Sequence, residues 1–454
     1  MANKTSDRHV IDWRSPDYHD GAKLDAEMRR VFEVCHGCRA CNRLCDSFPR
    51  LFDLIDTSPS ESLEDVKSDD FKKVADACTL CDMCYMSTCP YTPPHEWAID
   101  FPHLMLRYRA VEHKAGNGPT RASPRLTETD KNGRIAQTLA PVMNWASDRN
   151  NGLTRPVLKA IGGVHRDAPL PRYRPPTLEK RARKLKLEID PSAPARKRKV
   201  ALFATCFSNY NQPEIGEAAL AVLAKNGIET EVVYPQCCGM PHLEQGDLAR
   251  VAESARAVSS AFAPYIEKGY DVVTLVPSCA LMLKSEWPLL LPDDPKVKAL
   301  AARTFDIPEY IIDIARKEKL ADGLKPIEGG VTLHLACHAR AQNIGRKSAD
   351  MLALIPGLKL DVIERCSGHG GSLGVTVEFH ETALKVGRPL ARTALEKANR
   401  YVASECPLAA LHIVNGMEKL ASESSASKGL PADKRAFHPI ELFAKAYGLG
   451  ASTS

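Results

Sequence analysis

From residue 199 onward the chain alternates between two periods. Short apolar runs are followed by stretches in which apolar residues recur every three or four positions, which predicts strands joined by helices. The first run, Lys199 to Thr205, ends at Cys206. The helix predicted after it has Pro213 in its first turn, Ile215, Ala219, Val222 and Leu223 on one face, and Gly227 at the C′ position. A second strand, Glu229 to Pro235, runs into Cys237-Cys238-Gly239, and a third, Asp271 to Pro277, ends near Cys279.

The same order then returns. Val331 to Ala336 leads to Cys337, Lys359 to Arg365 leads to Cys366-Ser367-Gly368, and Arg400 to Ser404 leads to Cys406. Cys206 and Cys237 stand 31 positions apart, Cys337 and Cys366 29; Cys238 to Cys279 is 41 positions and Ser367 to Cys406 is 39. Matching order at near-equal spacing reads as a duplication. Strands alternating with helices imply parallel sheets with βαβ crossovers. Each cysteine then falls just past the carboxyl end of a strand, the edge at which open α/β sheets bind ligands.

Before residue 199 the pattern changes. Residues 1–30 are a polar lead-in, 31–110 hold a dense cysteine array, and 111–198, rich in Pro, Gly, Arg and Asn, read as a connector with room for a short helix at Arg134 to Asn144. Residues 199–325 and 326–454 are then the two repeats. The expected fold class is α+β overall: an N-terminal all-α/loop domain of ferredoxin type, followed by two duplicated α/β domains with parallel sheets.

Composition and charge narrow the picture little. Hydrophobic residues make up 44% and charged residues 26%, an ordinary globular balance that argues against wholesale disorder. The formal charge of +5 is concentrated at Lys180-Arg181-Ala182-Arg183-Lys184 and Arg196-Lys197-Arg198-Lys199. No aromatic residues interleave with these cations, so a solvated connector face is expected and no nucleic-acid partner. Met1 to Asp20 lack the apolar core of a secretion signal, and no apolar run is long enough to cross a bilayer. The expectation is a cytoplasmic protein, with peripheral contact at the inner membrane face left open.

The cysteines change the picture. There are 15 of them, and eight fall between Cys35 and Cys89. An odd number in a long chain without a secretion signal points to metal binding or catalysis, not to a disulfide framework. The array consists of Cys35, Cys38 and Cys41 followed by Cys45, and Cys78, Cys81 and Cys84 followed by Cys89-Pro90. Three cysteines at two-residue gaps wrap three corners of a [4Fe–4S] cube, and the fourth cysteine of each run serves the other cube in two-cluster ferredoxins. The expected ligand sets are Cys35, Cys38, Cys41 and Cys89 for one cluster, and Cys78, Cys81, Cys84 and Cys45 for the other. Structural zinc, which takes four ligands per site, does not account for two triplets.

Cys237-Cys238-Gly239 can present two thiolates to one centre, and Cys206 and Cys279 bring the set to four soft ligands suited to a further iron–sulfur cluster, with zinc or a redox-active dithiol as alternatives. The second repeat keeps Cys337, Cys366 and Cys406 but has Ser367 where the second adjacent cysteine stood. Three thiolates could hold a cluster with an open corner, or one completed by Ser367, His338 or His369; equally, the site has decayed and only the fold remains. Gly368-His369-Gly370-Gly371-Ser372-Leu373-Gly374 misses the dinucleotide-binding register and has no P-loop lysine, and no flavin or nicotinamide site is expected.

A ferredoxin array followed by two cysteine-rich repeats resembles the iron–sulfur oxidoreductases with Cys-Cys-Gly domains. That group includes the C subunit of anaerobic glycerol-3-phosphate dehydrogenase, the iron–sulfur component of glycolate oxidase, and the B and D subunits of heterodisulfide reductase. The resemblance implies electron transfer between a flavoprotein partner and an acceptor such as quinone. Met282 and Ala409 stand where heterodisulfide reductases complete a terminal cysteine pair, so relay is favoured over catalysis at these repeats. Cys89 to Trp97, Asp100 to Arg107 and Cys366-Ser367-Gly368-His369 are similar to rubrerythrin-associated iron–sulfur proteins, which implies a rubrerythrin-type partner in peroxide reduction. The competing functions are a heterodisulfide-reductase-like enzyme acting at the repeats and a metal-binding module without turnover.

Overall fold

The six apolar runs of the duplicated region form strands, and all of them are parallel. The computed structural model describes residues 8–117, 124–424, 429–431 and 435–449. One sheet contains β1 (Lys199–Phe203), β2 (Glu229–Val233), β3 (Asp271–Thr274) and β4 (Thr304–Asp306) in the order β2-β1-β3-β4. The other contains β5 (Val331–His334), β6 (Leu360–Ile363) and β7 (Tyr401–Ser404) in the order β6-β5-β7. In both, the first strand of the repeat is central: Val200 pairs with Thr230 and Asp271, and Val331 with Leu360 and Tyr401.

The parallel sheets expected of the two repeats are thus present, one in each. The central strands are buried along almost their whole length, as sheets covered on both faces require. The helix Pro213–Lys225 buries Ile215, Ala219, Val222 and Leu223, and Gly227 beyond it has φ +81°. At that residue a Cβ would also meet the Asp190 carbonyl at 2.7 Å, so the turn demands glycine. β4 was not visible in the sequence pattern. It has three residues, too few to show a period.

The two sheets share one apolar core, in which Leu202, Val273 and Ile311 join Leu333, Met351 and Phe443. Residues 8–117 are helical, with no strand among the described residues; the main helices are Gly21–Cys38, Ser47–Asp56, Phe71–Ala77 and Phe101–Lys114. Their core contains Phe32 edge-on to Phe71 at 5.1 Å and Phe48 against Phe101 at 4.6 Å. It continues without a break into Phe203, Val272 and Trp287 of the first repeat. The stretch after residue 124 carries the helices Thr129–Ser147 and Thr154–Gly162, and Val164 bridges to Thr376 in the second repeat.

One buried ion cluster ties these parts together. The Arg8 guanidinium binds Asp82 through both Nη atoms at 2.8 and 3.0 Å, and Asp100 through Nε and Nη2 at 2.7 and 3.0 Å. Glu286 of the first repeat lies 3.5 Å from Arg8 and accepts from His103 Nε2 at 3.1 Å. Burial alone would lower the His103 pKa, and Arg8 acts in the same direction. Asp100 and Glu286 outweigh both and hold it above the usual histidine value.

Two outcomes follow. Arg8→Ala leaves Asp82 buried without its cation and Asp100 and Glu286 with His103 alone, and urea titration should show a loss of about 3–5 kcal/mol. Because His103 is more basic folded than unfolded, its charge contributes stability below about pH 6.5, the unfolded value. That contribution fades as the pH rises through the folded value. His103→Gln should therefore flatten the fall in urea midpoint as the pH rises above about 6.5; an unchanged slope would rule out this pair as its source.

Candidate metal centres

In the first repeat, four cysteines meet beyond the carboxyl ends of β1, β2 and β3. Thr205, at φ 55°, turns the chain out of β1, and its hydroxyl accepts from Ser208 N to open the helix Cys206–Tyr210. Gly239, at φ +84°, does the same after β2 and leaves Cys237 and Cys238 side by side. Cys279 lies in the short helix Pro277–Leu281 after β3. The Sγ atoms of Cys206 and Cys237 are 3.8 Å apart, and those of Cys238 and Cys279 3.3 Å.

The electrostatics favour a thiolate here. Hydrogen bonds from the Cys206 and Cys238 thiols pull Cys237 below the ordinary thiol range, and Cys206 and Cys238 are pushed up in turn. The deprotonated form is the metal-binding form. Asp130 braces the loop: it accepts from Cys237 N at 2.8 Å and from the Tyr234 hydroxyl. Sequence reasoning missed Asp130. It lies 107 positions before Cys237, and no local period or motif marks it.

The thiols of the N-terminal array fall into two groups. Cys35, Cys38, Cys41 and Cys89 line one cavity together with Phe48, Tyr91 and Ile99. Burial raises the Cys35 thiol, and Cys89, Cys41 and Cys38 raise it further. Cys41 is pushed up to about 12 by burial, then by Cys89 and Cys38. Cys45 responds instead to burial followed by Cys81 and Cys78. The last cysteine of each run therefore faces the other run. Left-handed backbone at Arg39, Leu80 and Asp82, with φ 52°, 49° and 63°, curls each run round its thiols. Tyr91, His95 and Trp97 pack edge-on or tilted against one another with ring centres 4.6 to 5.3 Å apart, and Tyr91 lines the cavity beside Cys38 and Cys89.

The second repeat is looser. Cys337 opens the helix Cys337–Ala341, Cys406 precedes the helix Pro407–Ser424, and Cys366 is exposed. After burial, the Cys337 thiol is raised by Cys81, Cys366 and Cys406 in that order. His338 is turned away, with Nε2 3.2 Å from the Leu80 carbonyl. His369 is buried, and its Nε2 has no hydrogen-bond partner. Burial, then His412 and His338, lower its pKa to about 3, so it is neutral near pH 7. The glycine loop serves packing: a Cβ on Gly368 would lie 2.0 Å from the Ala383 carbonyl, and Ser372 N donates to Glu244 at 3.4 Å.

The cysteine sets form one connected group. Cys81 and Cys337 both pack against Met83, Leu281 and Ala341. Burial pushes the Cys406 thiol up to about 11 against the backbone N–H groups of Ala409 and Leu408, which lower it, and Glu405 and then Cys279 add to the rise. Among the described residues, no three Cys, His, Asp or Glu side chains are gathered closely enough for a single ion.

Parallel sheets that gather thiols at their carboxyl edges, beside a second thiol array, define a soft-metal redox protein. The cysteine-rich domain model matches residues 200–284 and 331–413. The C subunit of anaerobic glycerol-3-phosphate dehydrogenase from Escherichia coli is 28% identical over 332 residues, covering 71% of this chain and 76% of the relative. Lactate utilization protein A from Bacillus pumilus is 33% identical over 186 residues, 39% of this chain and 75% of its own. The B subunit of fumarate reductase (CoM/CoB) from Methanothermobacter marburgensis is 29% identical over 255 residues, 55% and 46% of the two chains. The chain belongs to the iron–sulfur oxidoreductase family with Cys-Cys-Gly domains.

Asp130 gives a direct test of the first site. Asp130→Ala leaves the Cys237 N–H and the Tyr234 hydroxyl buried without an acceptor, and should lower urea stability by about 1–3 kcal/mol. Asp130→Asn retains a carbonyl oxygen and should recover much of the loss. Equal loss in both variants would mean that one carbonyl oxygen cannot replace the two carboxylate acceptors that Tyr234 and Cys237 use.

Proposed function

We propose that this chain is the electron-transfer component of an oxidoreductase. In this reading it holds one [4Fe–4S] cluster at Cys35, Cys38, Cys41 and Cys89 and a second at Cys45, Cys78, Cys81 and Cys84 of a ferredoxin-type domain. A third iron–sulfur cluster sits at Cys206, Cys237, Cys238 and Cys279. When bound, such clusters take up and release single electrons. The observation that carries the reading is the grouping of the thiols: Cys35, Cys38, Cys41 and Cys89 line one cavity, Cys206, Cys237, Cys238 and Cys279 bring their sulfurs together in pairs 3.8 and 3.3 Å apart, and Cys81 and Cys337 pack against the same apolar side chains.

The protein's own part is to hold these thiols at fixed separations and to keep water from them. The Arg8 cluster fixes the array against the first repeat. Arg109 adds to this by donating to the carbonyls of Ala75 and Cys78 on one side and Glu244 on the other. The aromatic cover at Tyr91 and Trp97, with Trp97 partly exposed, suits the approach of a redox partner to the first cluster. A flavoprotein dehydrogenase is the favoured donor, in keeping with relatives whose names are those of dehydrogenase and reductase subunits. Quinone or a rubrerythrin-type peroxide reductase is the corresponding acceptor.

A second reading makes Cys337, Cys366 and Cys406 a catalytic site. It is favoured by the exposure of Cys366, which leaves that recess open to a small molecule.

Anaerobic purification followed by iron and sulfide assay and electron paramagnetic resonance tests both readings. About twelve irons per chain, falling by about four in Cys238→Ala with loss of one reducible signal, is the expected result. About eight irons, unchanged in Cys238→Ala, would remove the third cluster, and zinc in place of iron would end the electron-transfer reading. A signal perturbed by substrate and lost in Cys366→Ala would favour catalysis.

A further inference from the structure

Two helices outside the cysteine sets have their faces the wrong way round for folding. Thr129–Ser147 buries Gly133, Ala136 and Ala140, and Gly133 sits so close to the Tyr210 ring that a Cβ would lie 2.2 Å from it. Its large apolar residues Ile135, Leu139, Val142 and Trp145 face solvent. Thr154–Gly162 packs beside it and buries only Arg155, whose guanidinium binds the carbonyls of Ser147, His165, Arg166 and Ala168. Leu153, Val157 and Ile161 repeat every fourth position on its outside.

These seven side chains are 43 to 79% exposed, and they are seven of the thirteen large apolar residues exposed among the described residues. Scattered exposed apolar residues need no explanation, but a contiguous set does. Core packing cannot be their purpose, because the helices are seated through glycine, alanine and an arginine.

The charge around the set indicates the occupant. From Thr129 to Asp167, which takes in both helices, the chain has six Lys or Arg and three acids, Asp130, Asp148 and Asp167; of the cations, Arg149 pairs with Glu418 and Arg155 is buried. Lys131, Arg134, Lys159 and Arg166 form no ion pair with the described residues. Aliphatic side chains standing out from two adjoining helices, with a tryptophan among them and unpaired cations at their margins, match a fluid anionic surface better than a shaped protein pocket. We propose that this face docks on an anionic phospholipid bilayer, with the two helices lying in the plane of the interface. Asp130, at the start of the first helix, would then hold the Cys237 loop near the membrane, within reach of a lipid-soluble acceptor. That last step rests on the electron-transfer reading, whereas the docking does not.

The test uses the full chain, purified anaerobically, with sedimenting vesicles of phosphatidylcholine alone or with about 30% phosphatidylglycerol. The protein should sediment with the anionic vesicles and much less with the neutral ones, and about 0.5 M salt should release most of it. Leu153→Ser/Val157→Ser/Ile161→Ser alters exposed positions only, and should weaken binding about tenfold or more with the iron content unchanged. Lys131→Gln/Arg134→Gln/Lys159→Gln should remove the preference for anionic lipid. Failure of the parent protein to bind anionic vesicles, or equal binding by the serine variant, would overturn the proposal. So would a parent protein that is dimeric in solution and becomes monomeric in the serine variant without any lipid dependence, which would assign the face to a second copy. Iron content and reducible signals are read on the same samples, so loss of the clusters is distinguishable from loss of docking.

Discussion

The arrangement of the thiols depends on one buried guanidinium. Arg8 meets carboxylates from separate parts of the chain: Asp82 within the second cysteine run, Asp100 at the start of a helix, and Glu286 in the first repeat. Apolar packing alone is non-directional and would let the helical array slide on the sheet. A buried cation with several carboxylates does not slide, because leaving any of these charges unpaired in a low-dielectric interior costs more than the packing returns. The Arg8 side chain also lies over the Tyr85 ring at 4.6 Å, so the same residue packs against the segment that follows Cys84.

With the array held in this way, the geometry of parallel sheets does the rest. A right-handed crossover returns each strand in the same direction, so every strand of a repeat delivers its following loop to one edge. Cys206, Cys237 and Cys279 meet for that reason, although 73 positions separate the first from the last. The two repeats are packed so that these edges adjoin: the helix Pro277–Leu281, which holds Cys279, packs against the helix Cys337–Ala341. The divergence of the second repeat is then local. Ser367 replaces a thiol and Cys366 lies open, while the strand order and the central strand are kept.

The stretch between the array and the repeats shows how far composition can mislead about structure. Its Pro, Gly, Arg and Asn content reads as a solvated link with room for short helices, for instance at Arg134 to Asn144. The helix runs from Thr129 to Ser147. It was underestimated because its buried face is made of Gly133, Ala136 and Ala140, residues that carry almost no hydrophobic signal, while its large apolar residues face outward. Reading burial from hydrophobicity assigns such a helix the wrong face.

The sequence by itself determined what depends on chain-local geometry. Cysteines two residues apart must curl round a common centre, strands and helices show their own periods, and a repeated order of motifs implies a repeated fold. The pairing of Cys89 with the first run and of Cys45 with the second was expected from the pattern of two-cluster ferredoxins, in which the fourth cysteine of each run serves the other centre. Tertiary structure alone decided the rest: Asp130 under Cys237, Arg8 between three carboxylates, the turning of His338 toward Leu80, and the packing of Cys81 and Cys337 against the same side chains. These contacts join residues between 74 and 278 positions apart in sequence. Whether such pairs touch is set by how sheets and helices pack, a property of the whole chain that no local pattern records.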